Sequence, residues 1–317
     1  MGGRRMKAVV TGAAGFIGSH LVESLLEDGH EVVGLDCFVD YYPRAAKEGD
    51  LSRARDHSAF RFLEGRLQDL DLAPLLAGAS EVYHLAAQAG VRSSWGRDFA
   101  LYSDHNVLAT QRVLEAAVSA GRPRVVYASS SSVYGDAKAL PLREDTPCQP
   151  VSPYGVTKLA GEHLAGLYHR NHGLPATSLR YFTVYGPRQR PDMAFHRFLK
   201  AARDGMPIQL YGDGEQTRDF TFVADIVSAT RAAAVSGRPG SVYNVGGGER
   251  VALNAVLRTI EQVTGRALRI ERQEAQKGDM RDTFADTSAA GRDLGFSPRV
   301  PLPEGLRLEW DWIRGQR

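Results

Sequence analysis

Short apolar runs recur along the chain between segments whose apolar residues return every three to four positions. Lys7-Ala8-Val9-Val10-Thr11 reads as a buried strand, followed by a glycine turn from Gly12 to Gly18 and an amphipathic segment over 19–27. Glu31-Val32-Val33-Gly34-Leu35 reads as the next strand and ends at Asp36. Strand-like runs follow at 82–86, 124–128 and 176–181, separated by helical patterns over 106–120 and 153–172. Strand and helix in alternation predict an α/β fold built on a doubly wound parallel sheet. Beyond 186 the periodicity turns irregular, with a helix predicted over 193–204, a loop over 211–218, a strand over 241–245 and a helix over 253–264. The expected organisation is a first domain over 6–185 and a smaller mixed α/β part over 186–317 that binds substrate. The absence of a linker-like tract predicts that the two interleave.

Composition narrows the class. The chain has 317 residues, enough for a large core in one or two domains. With 39 Lys and Arg against 37 Asp and Glu it carries a formal charge of +2, so nothing points to nucleic acid or an anionic membrane. No apolar run approaches the roughly 18 residues that span a bilayer. Met1-Gly2-Gly3-Arg4-Arg5 has no apolar signal core behind it, so a cytoplasmic protein is expected, with Met6 a candidate natural start. Cys37 and Cys148 are far apart without ligand-like spacing, which predicts neither a disulfide framework nor a metal site.

Two motifs carry chemistry. Gly12-Ala13-Ala14-Gly15-Phe16-Ile17-Gly18 lies between a strand and a helix, the context of a Rossmann dinucleotide loop. Gly12 permits the tight turn, Gly15 lets a pyrophosphate approach the backbone, and Gly18 lets the helix pack closely, with its free N–H groups toward phosphate. Asp36, eighteen residues past Gly18, stands where an acid binds the ribose hydroxyls. Its charge would repel a 2′-phosphate, which favours NAD over NADP; Arg44 is the nearest residue that could argue otherwise. In Ser152-Pro153-Tyr154-Gly155-Val156-Thr157-Lys158, the four-residue spacing puts the Tyr154 phenol and the Lys158 ammonium on one helix face. A tyrosine ordinarily ionises near pH ~10, and an adjacent cation favours its phenolate, making it a candidate base. Tyr and Lys at this spacing also occur without function.

These motifs, with His84-Leu85-Ala86-Ala87, Ser129-Ser130-Ser131-Ser132-Val133-Tyr134-Gly135 and Arg218-Asp219-Phe220-Thr221-Phe222-Val223-Ala224-Asp225, resemble the extended short-chain dehydrogenase/reductases of the nucleotide-sugar epimerase group. The resemblance covers nearly the whole chain. It implies that Tyr154 removes the proton of a sugar 4-hydroxyl while NAD takes hydride from C4. Lys158 holds the nicotinamide ribose and lowers the Tyr154 pKa, and Ser130 hydrogen-bonds the reacting oxygen. The 4-keto sugar then turns over and hydride returns to its other face. It also places Phe16, Ile17, Leu67, Ala86, Ala87 and Asn106 beside the cofactor, puts Arg218 and Arg281 near the diphosphate of a UDP-sugar, and implies a homodimer through the segments 106–120 and 153–172.

The chain departs from galactose-type epimerases at Gln276, where an arginine is usual, although Lys277 is adjacent. It also has Arg66-Leu67 where relatives carry Asp and an aliphatic residue against adenine. Ser131 and Ser132 stand where a 4,6-dehydratase needs an acid/base pair. Asp36-Cys37-Phe38-Val39-Asp40-Tyr41-Tyr42, Gln88-Ala89-Gly90-Val91-Arg92 and the run from Tyr181 through Thr183 and Arg190 to Ala194 are most similar to UDP-glucuronate 4-epimerases. The resemblance implies that Ser131, Ser132 and Thr183 surround the sugar carboxylate, with Arg190 behind them and Gly90 and Arg92 in the substrate site. UDP-glucose/galactose-type epimerases, UDP-glucuronate decarboxylases and a non-catalytic NAD-sensing protein are the alternatives.

Overall fold

A computed structural model describes residues 5–136, 139–274 and 280–316. Seven strands form one sheet: β1 (Lys7–Thr11), β2 (Glu31–Asp36), β3 (Phe60–Glu64), β4 (Glu81–His84), β5 (Arg124–Ser130), β6 (Ala176–Tyr181) and a seventh, Val242–Val245. Their order is seventh, β6, β5, β4, β1, β2, β3, and every pairing is parallel. Strands covered on both faces must be apolar on both, and β1 shows this. Val10 belongs to one buried cluster with Leu21, Leu25 and Ile226, whereas Val9 belongs to another with Leu72, Val113 and Ala165. The chain therefore folds as the doubly wound α/β sheet that its pattern predicts.

Because β1 is flanked by β2 on one side and β4 on the other, the connections diverge there and leave a crevice at the carboxyl ends of the strands. Thr11, Asp36, His84 and Ser130 are the last residues of their strands at that edge. The seventh strand comes from beyond residue 186 and pairs with β6 from Val242↔Ser178 to Val245↔Tyr181. The sheet thus draws on both sides of that position.

Some elements differ from expectation. The strand expected over 82–86 is Glu81–His84, and β5 runs two residues further than 124–128, to Ser130. The helix expected over 106–120 begins as a π-helical segment, Ser103–Leu108, before the α-helix Ala109–Ser119. The wider turn carries Asn106 (1% exposed), whose side-chain oxygen accepts from the Gln88 N–H at 2.7 Å. The segment 211–218, expected as a loop, is bounded by paired strands: Ile208–Tyr211 runs parallel to Ile270–Gln273, and Thr217–Asp219 runs antiparallel to Arg250–Ala252. The helices Pro153–His172 and Leu253–Thr264 have the expected bounds.

Candidate active site

The glycine turn shapes the floor of the crevice. Gly12 has φ +71°, and a Cβ there would stand 2.7 Å from the Ala86 nitrogen. A Cβ on Gly18 would stand 2.0 Å from the Gly12 carbonyl oxygen, so only hydrogen lets the helix Phe16–Glu27 begin so close to β1. That helix has Gly15 as N-cap and no side chain bonded to its first N–H groups, which leaves its positive end open to the groove. The groove holds about 1140 Å³ and is lined by Gly12, Gly15, Phe16, Ile17, Gly18, Asp36, Leu67, Ala86, Ala87, Tyr154 and Lys158.

Asp36 closes one end. Its carboxylate accepts from the Ala14 N–H at 3.1 Å and from the Phe38 N–H at 2.8 Å, while burial pushes its pKa up. Arg44 pairs with Glu48 at 2.8 Å and, through two nitrogens, with Glu64 at 2.7 Å. Its guanidinium is thus engaged by carboxylates, which removes the one residue that argued for a 2′-phosphate. Arg66 reaches Asp104 at 2.5 Å, and Leu67 beside it is buried against the groove. Asn106 is not in the groove wall: its amide also donates to the Gln88 carbonyl at 3.0 Å and to Thr157 at 2.9 Å. It clamps the segment after β4 to the neighbouring helix and has no hydrogen left for a cofactor.

At the other end stand the phenol and the ammonium. The helix Pro153–His172 starts where Ser152 accepts from the Gly155 N–H and Pro153 fills the first helical position, which fixes Tyr154 in the first turn. Lys158, 4% exposed, donates to the Ala128 carbonyl at 2.9 Å and lies 6.0 Å from the Tyr154 ring centroid. Burial pushes the ammonium down to about 8. Burial pushes the Tyr154 phenol up, and the influences opposing this are led by the Arg190 charge, followed by a hydrogen bond with Ser130. The sequence assigned that help to Lys158; Arg190 leads it in this geometry. Arg190 is itself held by Asp192 through two bonds of 3.0 Å and lies over the Tyr41 ring, whose hydroxyl donates to Asp192 at 3.1 Å.

Beyond Tyr154 the crevice widens. Ser130, Ser131, Ser132, Thr183, Gly90, Arg190 and Arg218 line a space adjoining Tyr154. It continues into a cleft of about 1820 Å³ with Gly90, Arg92, Thr183, Arg190, Arg218 and Arg281 on its walls. Groove and cleft adjoin at Tyr41 and Arg190, which line both, so the two form one continuous crevice. Arg92 lies over the Tyr211 ring at 4.8 Å. Arg218 lines the cleft and donates to the carbonyls of Thr217 and Arg281, and Arg281 is well exposed. Gln276 and Lys277 lie outside the described residues.

The residues that sequence reading missed are Tyr41, Tyr102, Asp192, Ser129 and Glu162. Tyr102 packs edge-on against Tyr154 and donates to the Ala89 and Gly90 carbonyls. Tyr41 lies in a run that carries the resemblance but was given no role, Tyr102 gives no local signal, and Glu162 stands four residues past Lys158, the spacing that had marked Lys158 itself. Among the described residues no cluster of His, Cys, Asp and Glu is arranged to hold a metal ion. No helix is long and apolar enough to cross a membrane among those residues.

Comparison with known proteins agrees with this geometry. Residues 8–246 match the model of the NAD dependent epimerase/dehydratase family. A Bacillus subtilis (strain 168) protein named as an uncharacterized UDP-glucose epimerase is 45% identical over 308 residues, 96% of each chain. The UDP-glucuronate 4-epimerase of Thermodesulfobacterium geofontis is 36% identical over 311 residues, covering 96% of this chain and 95% of its own. The crystal structure of the UDP-glucuronic acid 4-epimerase of Bacillus cereus with UDP-glucuronic acid and NAD superposes with a TM-score of 0.95 at 43% identity, covering 98% of this chain and 99% of that one. The chain belongs to the NAD dependent epimerase/dehydratase family.

Proposed function

We propose that this protein is an NAD-dependent UDP-sugar 4-epimerase that interconverts UDP-glucuronate and UDP-galacturonate. The observation that carries the proposal is the sequence of surfaces along one crevice: a glycine cradle with an acid at its end, a tyrosine and lysine at its middle, and a hydroxyl-lined space opening to arginines. The Bacillus cereus neighbour, solved with UDP-glucuronic acid and NAD, supports it.

The residues present fit NAD. Gly12, Gly15 and Gly18 with the open helix end would hold the pyrophosphate, Asp36 the adenosine ribose, and Phe16, Ile17, Leu67, Ala86 and Ala87 the surrounding walls. When bound, NAD supplies the hydride acceptor that C4 oxidation needs and gives the hydride back. Tyr154 takes the proton of the 4-hydroxyl on its phenolate oxygen and later returns it. Arg190 and Lys158 favour the phenolate from two sides, and Ser130 holds the reacting oxygen. Since oxidation and reduction cancel, no net oxidant is consumed.

A C6 carboxylate beside a 4-keto group makes a β-keto acid, which loses carbon dioxide when the carboxylate stands perpendicular to the carbonyl plane. Ser131, Ser132 and Thr183 restrain it with neutral hydroxyls, and Arg190, held by Asp192, stands behind them. Arg218, Arg92 and Arg281 take the diphosphate half, for which a guanidinium fork suits two phosphates. Residues 6–185 hold mainly the cofactor and 186–317 mainly the UDP-sugar. The protein works in the cytoplasm as a homodimer. Its exposed Leu108, Val156 and Leu167, on the helical segments named for that contact, are the surface for it.

Incubating the purified protein with UDP-glucuronate, UDP-glucose and UDP-N-acetylglucosamine and separating the products tests the assignment. UDP-galacturonate should form fastest. Preference for UDP-glucose would move the assignment to the neutral-sugar epimerases, the reading that the Bacillus subtilis relative's name favours.

A further inference from the structure

Behind the catalytic pair lies a charged cluster that the reaction as described does not use. Glu162, one helical turn beyond Lys158, is 7% exposed, and Arg180, the last residue but one of β6, is 5% exposed. The two form a fork-to-fork ion pair, with Arg180 Nε to Oε1 at 2.9 Å and Nη2 to Oε2 at 2.8 Å. Ser129 donates to the same Oε1 at 2.5 Å. Ser129 precedes Ser130 on β5, so this carboxylate grips the strand end that presents the serines to the crevice. A buried pair of this kind has no general advantage in stability over an apolar pair, so its use here calls for another reason.

Electrostatics around Lys158 supplies one. On β5 the Tyr127 ring centroid lies 5.2 Å from Nζ, and on β4 His84 is fully buried between Thr11 and Thr110. Burial pushes the His84 imidazole down to about 3 and the Tyr127 phenol well up, so both are neutral near pH 7. Asn106 and Thr110 on the neighbouring helical segment are uncharged. Tyr154 is the group on the near side, and Glu162 is the anion that acts on Lys158 against its burial. Glu162 in turn faces Arg180, with the Tyr134 hydroxyl, the Glu144 carbonyl and the Cys148 thiol grouped around that guanidinium.

We propose that Glu162 is a positioning residue for the Tyr154–Lys158 pair: one carboxylate, locked by Arg180, fixes the serine-bearing end of β5 and supplies the countercharge that keeps Lys158 cationic in a dry pocket. This rests on Tyr154 and Lys158 being the reacting pair. Removing the charge lets burial and the orphaned Arg180 both act against the ammonium, whereas shortening the side chain loosens Ser129 and keeps the charge.

The chain has only six lysines, so Lys158 can be titrated directly by NMR of protein carrying 13Cε-lysine, with its signal assigned through Lys158→Met. In the protein as purified, the midpoint should lie below the ~10.4 of a free lysine. In Glu162→Gln it should fall further by about one pH unit, the scale of a lost opposite charge at close range. Glu162→Asp should keep the wild-type midpoint but lower kcat, and Ser129→Ala should do the same. The alkaline limb of the kcat profile should follow the NMR midpoint in each variant. A folded Glu162→Gln with an unchanged Lys158 midpoint overturns the proposal. If that variant does not fold, Glu162→Gln combined with Arg180→Met decides: the midpoint should still fall, though by less, and a wild-type value overturns it. The titration reads Glu162 whether or not UDP-glucuronate is turned over, and wild-type turnover tests that reading separately.

Discussion

Replacing Gly18 with Ala tests the cofactor cradle at its tightest point. The new Cβ would stand 2.0 Å from the Gly12 carbonyl oxygen, 2.8 Å from the Gly12 carbonyl carbon and 3.1 Å from the Ala13 Cα. Contacts between carbon and its neighbours settle near ~3.5 Å, so the helix start and the turn must part by roughly 1.5 Å. All three atoms are backbone, tied by the Gly12 N–H to the Leu35 carbonyl at 2.8 Å and the Gly15 N–H to the Gly12 carbonyl at 3.0 Å, so no side chain can yield instead. Overpacking of this sort costs about 1–3 kcal/mol of stability, which a domain of this size survives. The larger effect is on the ligand, because displaced backbone N–H groups lose charge-assisted hydrogen bonds to the pyrophosphate, each about 1.5–3 kcal/mol, or on the order of 10²-fold in affinity. NAD dissociation constants measured by calorimetry on cofactor-stripped protein should therefore rise about a hundredfold in Gly18→Ala. Gly49→Ala, at a helical position with nothing within 4 Å and no positive φ, should leave them unchanged. A Gly18→Ala protein that keeps wild-type NAD affinity would refute the placement of the pyrophosphate on this turn.

Other expected outcomes follow from the same geometry. Tyr154→Phe should lower turnover by about 10²–10⁴, the usual contribution of a general base, with little change in UDP-sugar binding by calorimetry; a variant keeping a tenth of the rate would exclude Tyr154 as the base. Thr183→Val removes one hydrogen bond at nearly constant volume, and should cost UDP-glucuronate turnover roughly 1.5–3 kcal/mol and release carbon dioxide. Equal loss with UDP-glucose would dismiss the carboxylate clamp. Asp50, packed against Arg188 and Glu23, has its carboxyl raised by burial to about 7. Its folded pKa lies above the unfolded one, so its stabilising effect is complete below pH ~4 and is lost as the pH rises through 7. Asp50→Asn should flatten the fall of Tm over that window, and an unaltered slope would show that Asp50 titrates normally.

Much of this site was legible in the sequence because the chemistry there uses short, local spacings. The glycines at 12, 15 and 18 and the Tyr154–Lys158 pair each lie within one turn or one helix, and each lines the groove as expected. Asp36 was legible because it directly follows a short apolar strand, and the structure ends β2 there, paired with Glu64 of β3. What escaped depends on contacts across the fold. Asn106 reads as a cofactor residue by position, but the π-helical turn aims its amide at Gln88 and Thr157. Arg190 was placed behind the hydroxyls around the sugar carboxylate, while its hold by Asp192 and its influence on Tyr154 depend on contacts with residues such as Tyr41, which comes from the loop after β2. The strands bounding 211–218 were hidden for a related reason: each is three or four residues long and pairs with a segment more than thirty residues away, so the alternation each carries is too short to stand out.

The central claim is that C4 of the sugar is oxidised and then reduced by the same hydride inside one crevice. UDP-glucuronate carrying deuterium at C4, incubated with the purified protein in ordinary water and followed by NMR, tests this most directly. The expected result is UDP-galacturonate that retains the deuterium at C4, with no accumulation of reduced cofactor. Product that has exchanged C4 deuterium for solvent hydrogen, or a net yield of NADH or carbon dioxide matching substrate consumed, would contradict the account.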